Sequence, residues 1–189
     1  MRRVIAALTL TFALAIPARA QSFEERLSVC LACHGEKGIS ETAEVPSLAG
    51  MPAKFTLIQL YMFRQGARKV EIMNDVAKGM TDDDLRKFSE YFAKLPPPVP
   101  SGEASDSATA ARAQALIAKH FCASCHNPDF SGREQMPRLA AQREDYLLKA
   151  LRDYKNKMRP GYEPTMDEVM RPVTEAEIAD LSHYLARVK

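Results

Sequence analysis

The segment "FCASCH", Phe121 to His126, sets two cysteines two residues apart and follows the second directly with a histidine. The same arrangement stands earlier as "CLACH", Cys30 to His34. Together the two pentads use all four cysteines and two of the four histidines in the chain. Cysteines placed this way point to a partner for each sulfur other than another cysteine.

Working outward, the pentads sit inside a longer repeat. Cys30 maps onto Cys122 at an offset of 92, and Pro46 and Leu48 map onto Pro137 and Leu139 at 91. Phe55, Leu57, Leu60 and Phe63 map at 91 onto Tyr146, Leu148, Leu151 and Tyr154. Leu85, Phe88, Tyr91, Phe92 and Leu95 map at 93 onto Ile178, Leu181, Tyr184, Leu185 and Val188. A near-constant offset over so many positions is internal duplication. Between the copies runs "LPPPVPSGEASDS", Leu95 to Ser107, whose prolines and small polar residues make a stiff, extended connector. This divides the chain into a first domain at 21–95, a Pro-rich linker at 96–105 and a second domain at 106–189. Each domain is near the size at which an apolar core alone supplies little surplus stability, so something else is expected to help fill it.

Thr81-x-x-Asp84 and Thr174-x-x-Glu177 are capping-box patterns, and the apolar spacing after each is that of an amphipathic helix. Segments 53–65 and 144–156 also read as helices, as does Ala108–Phe121 leading into the second pentad. No convincing alternating run suggests a sheet. The expected fold is all-α, with three or more helices in each copy.

Three chemistries use cysteines at this spacing. A zinc site would need both pairs to converge, yet ribbon sites separate them by about 15–20 residues, and here 92 residues and a proline linker intervene. A thioredoxin-type dithiol wants a βαβ context and leaves the histidine unexplained, twice. In Cys-x-x-Cys-His the two thiols add to haem vinyl groups and the imidazole binds the iron, which accounts for every position. Cys30, Cys33 and His34 are therefore expected to hold one covalent haem, and Cys122, Cys125 and His126 another.

The sixth iron position separates a carrier from an enzyme. His120 lies on the proximal side of its pentad, and His183 falls within the last helix as a surface residue. A methionine ligand should recur in both copies. Met73 and Met166 match at offset 93, follow their histidines by 39 and 40 residues, and precede the capping threonines by eight, in what read as loops able to fold over a ring. Met80 faces Val173 in register and reads as helix-entry packing, while Met62 falls opposite Asp153 and Met158 lacks a methionine counterpart. Met170 is the reserve for the second ligand. Methionine–histidine ligation leaves no vacant position for peroxide and suits single-electron transfer, which weighs against a dihaem peroxidase. A carbonyl at Pro46 or Pro137 could orient the neighbouring histidine; a proline that only marks a turn is the equal alternative. The aromatic positions Phe55, Phe63, Tyr146 and Tyr154 read as packing around the haems rather than electron relays.

The chain opens "MRRVIAALTLTFALAIPARA": a basic start, an apolar run from Val4 to Ile16, and the small-x-small site Ala18-Arg19-Ala20. Residues 1–20 are expected to be a signal peptide, the apolar run being short for the roughly 30 Å hydrocarbon core of a membrane. Export suits covalent haem attachment, and the periplasm is the expected location. Loss of those residues removes Arg2, Arg3 and Arg19, leaving 23 basic against 24 acidic side chains and no charge argument for nucleic acid. The short cluster Lys155, Lys157, Arg159 reads as a solvated face.

At this point the chain resembles the dihaem cytochromes c of the cytochrome c4 type over essentially its whole mature length. The likeness rests on "CLACHGEKG", "PSLAG" and "RKVEIM" ahead of "MTDDDLRKFSEYF" in the first copy. In the second it rests on "CASCH", "PRLAAQREDYLLKAL" and "TMDEVM" ahead of "VTEAEIADLSHYL". It implies two tandem class I cytochrome c domains, distal methionines at Met73 and Met166, and Pro46 and Pro137 carbonyls that orient the ligating histidines. "CHNPDF" departs from the more usual "CHGEKG" after the second histidine. The implied role is a periplasmic one-electron carrier in a respiratory or oxidative chain. The alternative is the dihaem subunit of a flavocytochrome c sulfide dehydrogenase or a thiosulfate-oxidising enzyme. Expected partners are redox proteins: a membrane quinol-oxidising complex, a terminal oxidase or a periplasmic dehydrogenase. Peripheral membrane association is compatible with this.

Overall fold

Ser22 caps the first helix, α1 (Phe23–His34). Its hydroxyl accepts from Glu25 N at 3.2 Å, and the Glu25 carboxylate accepts from Ser22 N at 2.7 Å. That reciprocal cap satisfies two donors a helix start otherwise leaves bare. The computed structural model describes residues 22–100, 102–159 and 165–189; the expected signal peptide lies outside the described residues. The first lobe continues with α2 (Ala53–Arg64), α3 (Glu71–Lys78) and α4 (Asp82–Lys94). The second holds α5 (Ser107–Lys119), α6 (Cys122–His126), α7 (Glu144–Lys155), α8 (Thr165–Met170) and α9 (Glu175–Leu185). Among the described residues the only extended pairing is a lone bridge between Arg133 and Met136, so the chain is all-α.

Thr81 and Thr174 both close capping boxes, at the starts of α4 and α9. Three expectations need correction. The helix expected over Ala108–Phe121 stops at Lys119, because Phe121 turns left-handed (φ 54°) and the pentad starts the short helix α6. In the first lobe α1 runs through the pentad unbroken. Met73 and Met166, expected in loops, lie on α3 and α8. The cause is visible in α3: Met73, Val76 and Ala77 recur at helical spacing and all pack on the first-lobe core. Arg159, assigned to a solvated face, is only 5% exposed and lies between the lobes.

Each lobe is organised on its last helix. Leu85, Phe88 and Phe92 of α4 are buried against α2, and Phe23 of α1 stacks on Phe88 with ring centroids 5.0 Å apart. In the second lobe Ile178, Leu181 and Leu185 of α9 are buried against α5 and α7. Ser89 and Ser182, also repeat equivalents, are buried and donate back to Leu85 O (2.6 Å) and Ile178 O (2.8 Å).

The backbone repeats more faithfully than the side chains. Gly38 (φ 69°) and Phe130 (φ 56°) are equivalent, as are Gly50 (φ 66°) and Ala141 (φ 55°), and Gly66 (φ 66°) and Lys157 (φ 56°). Gly50 N bonds Phe92 O at 3.0 Å just as Ala141 N bonds Leu185 O at 3.1 Å. Left-handed backbone is nearly free for glycine but costs about 1 kcal/mol or more elsewhere, so the second lobe holds the same path under strain.

The lobes clasp each other through the segments after their histidines. Gln142, 3% exposed, accepts from Ser47 N and donates to Ser47 O, both at 2.9 Å. Arg143 donates to Ser40 O at 3.0 Å, and Asp145 accepts from Glu44 N at 3.0 Å. In the opposite sense, Phe55 N donates to Glu134 O at 3.0 Å and Lys54 pairs with the Glu134 carboxylate at 3.3 Å. The connector is strapped down as well: a Cβ on Gly50 would lie 2.8 Å from Pro97 Cβ, and Arg187 donates to Glu103 O at 2.9 Å.

Two outcomes follow for thermal denaturation of the holoprotein. Gln142→Leu removes both bonds to Ser47 and should cost about 2 kcal/mol, whereas Gln114→Leu, at an exposed position, should change stability by about 0.5 kcal/mol or less. Gly50→Ala should cost more than Gly66→Ala. Both carry the left-handed penalty of about 1 kcal/mol, but only Gly50 meets Pro97, while Gly66 has nothing within 4 Å of a built Cβ.

Candidate functional site

The last turn of α1 presents Cys30, Cys33 and His34, and α6 presents Cys122, Cys125 and His126. All four cysteines are unpaired thiols at partly buried positions. Before haem attachment, burial pushes the Cys30 and Cys122 thiols up.

Both imidazoles are buried, 6% and 4% exposed. His34 Nδ1 lies 2.8 Å from Pro46 O, and His126 Nδ1 lies 2.9 Å from Pro137 O. A carbonyl can only accept, so each Nδ1 carries the proton and each Nε2 keeps its lone pair. Burial lowers both imidazole pKa values, the carbonyl bond opposing it in part, so both rings stay neutral and able to ligate. Among the described residues His126 Nε2 is a buried nitrogen with no hydrogen-bond partner. An orphaned, neutral, oriented imidazole nitrogen is what a metal ligand requires.

The loops that hold those carbonyls are built alike. Gly38 O accepts from Leu48 N (2.7 Å) and Ala49 N (3.0 Å); Phe130 O accepts from Leu139 N (2.9 Å) and Ala140 N (3.1 Å). Directly after His34, Gly35 is required: its φ is 83°, and a Cβ would come within 2.0 Å of Ile39 O. Asn127 replaces it in the second lobe at nearly the same backbone angles and ties its amide to Ser131 Oγ (3.0 Å) and Gly132 O (2.8 Å). The departure at "CHNPDF" therefore preserves the turn.

Met73 is partly buried and packs on the same cluster as Cys30, Leu48 and Leu57. Met166 packs beside Leu148 and Tyr154, on a cluster joined through Ile117 to the one that holds Cys122 and Leu139. Met170 is a core residue, 2% exposed, and Met80 and Val173 are buried at the helix entries. Met158 is 72% exposed. His183 is partly exposed beside Glu144 at 3.3 Å, and His120 is the C-cap residue of α5, behind its pentad. Two thiols, an imidazole and a nearby thioether in each lobe fit covalently attached haem. Sequence reasoning missed Gln142, which grips the residue after Pro46, and the partnership of Arg68 with Arg159. The latter was detectable, since the two stand at the repeat offset of 91.

Known proteins agree with this donor set. A family model described as cytochrome c matches residues 110–189. The thiosulfate dehydrogenase electron acceptor of Thiomonas intermedia (strain K12) is 30% identical over 198 aligned residues, covering 98% of this chain and 91% of that protein. The cytochrome c4 of Thiocapsa roseopersicina is 31% identical over 169, covering 83% and 85%. Reduced recombinant cytochrome c4 from Pseudomonas stutzeri superposes with a TM-score of 0.80 at 27% identity, covering 88% of this chain and 97% of that one. With likeness running through both lobes, the chain belongs to the cytochrome c4 family: two tandem cytochrome c domains, each with a covalently attached haem, that carry electrons.

Proposed function

We propose that the protein is a periplasmic one-electron carrier in which one iron is held between His34 and Met73 and the other between His126 and Met166. Two imidazoles carry the reading: each is buried, fixed as the Nδ1–H form by a proline carbonyl, and so offers Nε2 in one orientation. Bound haem supplies the ferric–ferrous couple. The polypeptide supplies the rest. Cys30, Cys33, Cys122 and Cys125 would hold the haems covalently, and the thioethers of Met73 and Met166 would raise the potential and exclude peroxide or substrate. Met73 and Met166 stand on helices packed against the core, which suits ligands that keep one geometry in both oxidation states. Met170, almost wholly buried in the core, is the weaker candidate. The division at 21–95, 96–105 and 106–189 gives each haem its own lobe, and residues 1–20 serve export.

The natural partner is a periplasmic oxidoreductase or a membrane quinol-oxidising complex. A second reading, electron acceptor of a thiosulfate-oxidising dehydrogenase, is favoured by the relative from Thiomonas intermedia, which aligns with nearly the whole chain. Reduction of the purified holoprotein by a thiosulfate dehydrogenase with thiosulfate would select it; reduction only by a quinol-oxidising complex would reject it.

Optical redox titration tests the ligand set. Met73→Ala should lower only one potential and Met166→Ala only the other, each by a sizeable part of the roughly 0.8 V over which axial ligands set haem potentials. Variants that titrate like the parent would remove the assignment.

A further inference from the structure

The helix that carries Met73 is fastened by the residue next to it. α3 has eight residues and packs on α2, and Val70 at its start has no side chain able to cap it. A helix of that length is marginal on its own in water. Asn74 supplies what is missing. Its Oδ1 accepts from Val70 N at 2.8 Å, and its Nδ2 donates to Phe63 O at 2.7 Å and to Arg68 O at 2.8 Å. Phe63 is buried in the last turn of α2, and Arg68 N is bonded in turn to Met62 O at 3.2 Å. One side chain thus ties α3 to the end of α2 and to the turn between them, with both amide hydrogens and the amide oxygen in use.

The second lobe has a different residue at this point. Asn74 maps onto Asp167 at the same offset of 93 that relates Met73 to Met166. Phe63 and Arg68, whose carbonyls the amide grips, map onto Tyr154 and Arg159 at 91. An ionised carboxylate has no hydrogen to give, so Asp167 cannot donate to either of those carbonyls. One Asp167 carboxylate oxygen is buried with no partner among the described residues. α8 itself has six residues against eight in α3, and so has less of its own to hold it.

We propose that Asn74 is the positioning residue that keeps the Met73 thioether at its iron, and that Asp167 leaves the Met166 centre the readier of the two to admit a small ligand. The inference rests on Met73 and Met166 as the iron ligands and adds a difference between two centres whose donor atoms are alike. Asn74 acts through the backbone, by fixing the helix turn that bears Met73. A thioether leaves its iron for long enough to be replaced only when the segment carrying it opens, and local opening is governed by the bonds that must break. Each buried hydrogen bond lost raises the open population by up to about tenfold. The amide-to-carboxylate difference therefore falls on ligand exchange at one centre and leaves the other as it was.

Cyanide binding to the ferric holoprotein, followed by absorbance, tests the assignment. The parent should react in two phases, the faster from the Met166 centre. Met73→Ala and Met166→Ala identify the phases, because each makes its own centre's phase rapid. Asn74→Asp should speed the slower phase roughly tenfold and leave the faster one unchanged. Asp167→Asn should slow the faster phase by a similar factor; it adds donors, so it reads the proposal even where Asn74→Asp fails to keep its haems. A purely structural role for Asn74 would loosen the protein as a whole and speed both phases together, which overturns the proposal. Rates unchanged from the parent in Asp167→Asn, or in an Asn74→Asp protein that holds two haems, overturn it as well. If Met73→Ala also leaves both phases at the parent's rates, the ligand assignment itself is lost; if Met73→Ala opens its centre and Asn74→Asp does not, only the positioning role falls.

Discussion

The hydrogen bond from each histidine Nδ1–H to a proline carbonyl is the constraint on which the remaining structure depends. It settles the tautomer, fixes the ring's orientation and leaves Nε2 as the available lone pair. Much of the irregular backbone exists to hold that carbonyl in place. The left-handed turns at Gly35 and Asn127, and the paired amides on Gly38 O and Phe130 O, return the chain to the imidazole after 12 and 11 residues. The helices then supply a stiff frame. α4 and α9 enter through capping boxes and bury an apolar face, and through Gly50 and Ala141 they receive the ends of the proline loops.

The same loops make the interface between the lobes. Gln142 bonds both backbone groups of Ser47, the residue directly after Pro46. A movement of the second lobe is therefore felt one peptide away from the carbonyl that orients His34. Buried, fully paired amide contacts of this kind specify one arrangement, because a slipped register would leave Ser47 and Gln142 unsatisfied. The two lobes thus behave as a single unit around their haem loops.

Most of the frame was legible in the sequence, for a physical reason. Helix caps and apolar spacing are local signals, and the duplication supplied each assignment twice: Thr81 with Thr174, Phe88 with Leu181, and Cys30 with Cys122. The pentad histidines and cysteines were legible because their chemistry demands exact spacing. What failed depended on tertiary context. Met73 and Met166 were read in loops because the helices bearing them are short, eight and six residues, and the first has no side-chain cap to announce it. Arg159 was read as solvated because the string of nearby lysines looks like a surface; only the other lobe, with Gln59, buries it. A contact between residues 100 apart in the chain leaves no local signature.

The duplication has also been unequal, and the inequality is informative. Where the first lobe uses Gly35, Gly38, Gly50 and Gly66 at left-handed positions, the second uses Asn127, Phe130, Ala141 and Lys157. Four side chains held in conformations that glycine adopts freely must be compensated locally, and two of the compensations are visible. Phe130 is 5% exposed within its lobe's core, and the Asn127 amide closes two hydrogen bonds of its own loop. The second lobe also supplies Gln142, Arg143 and Asp145 to the interface, where the first supplies mainly backbone groups to receive them. Two copies of one fold have thereby taken different parts: one lobe presents its histidine loop, and the other, more strained and richer in side-chain contacts, holds it. Two alike haem-binding pentads in such unlike surroundings have no physical reason to share a potential.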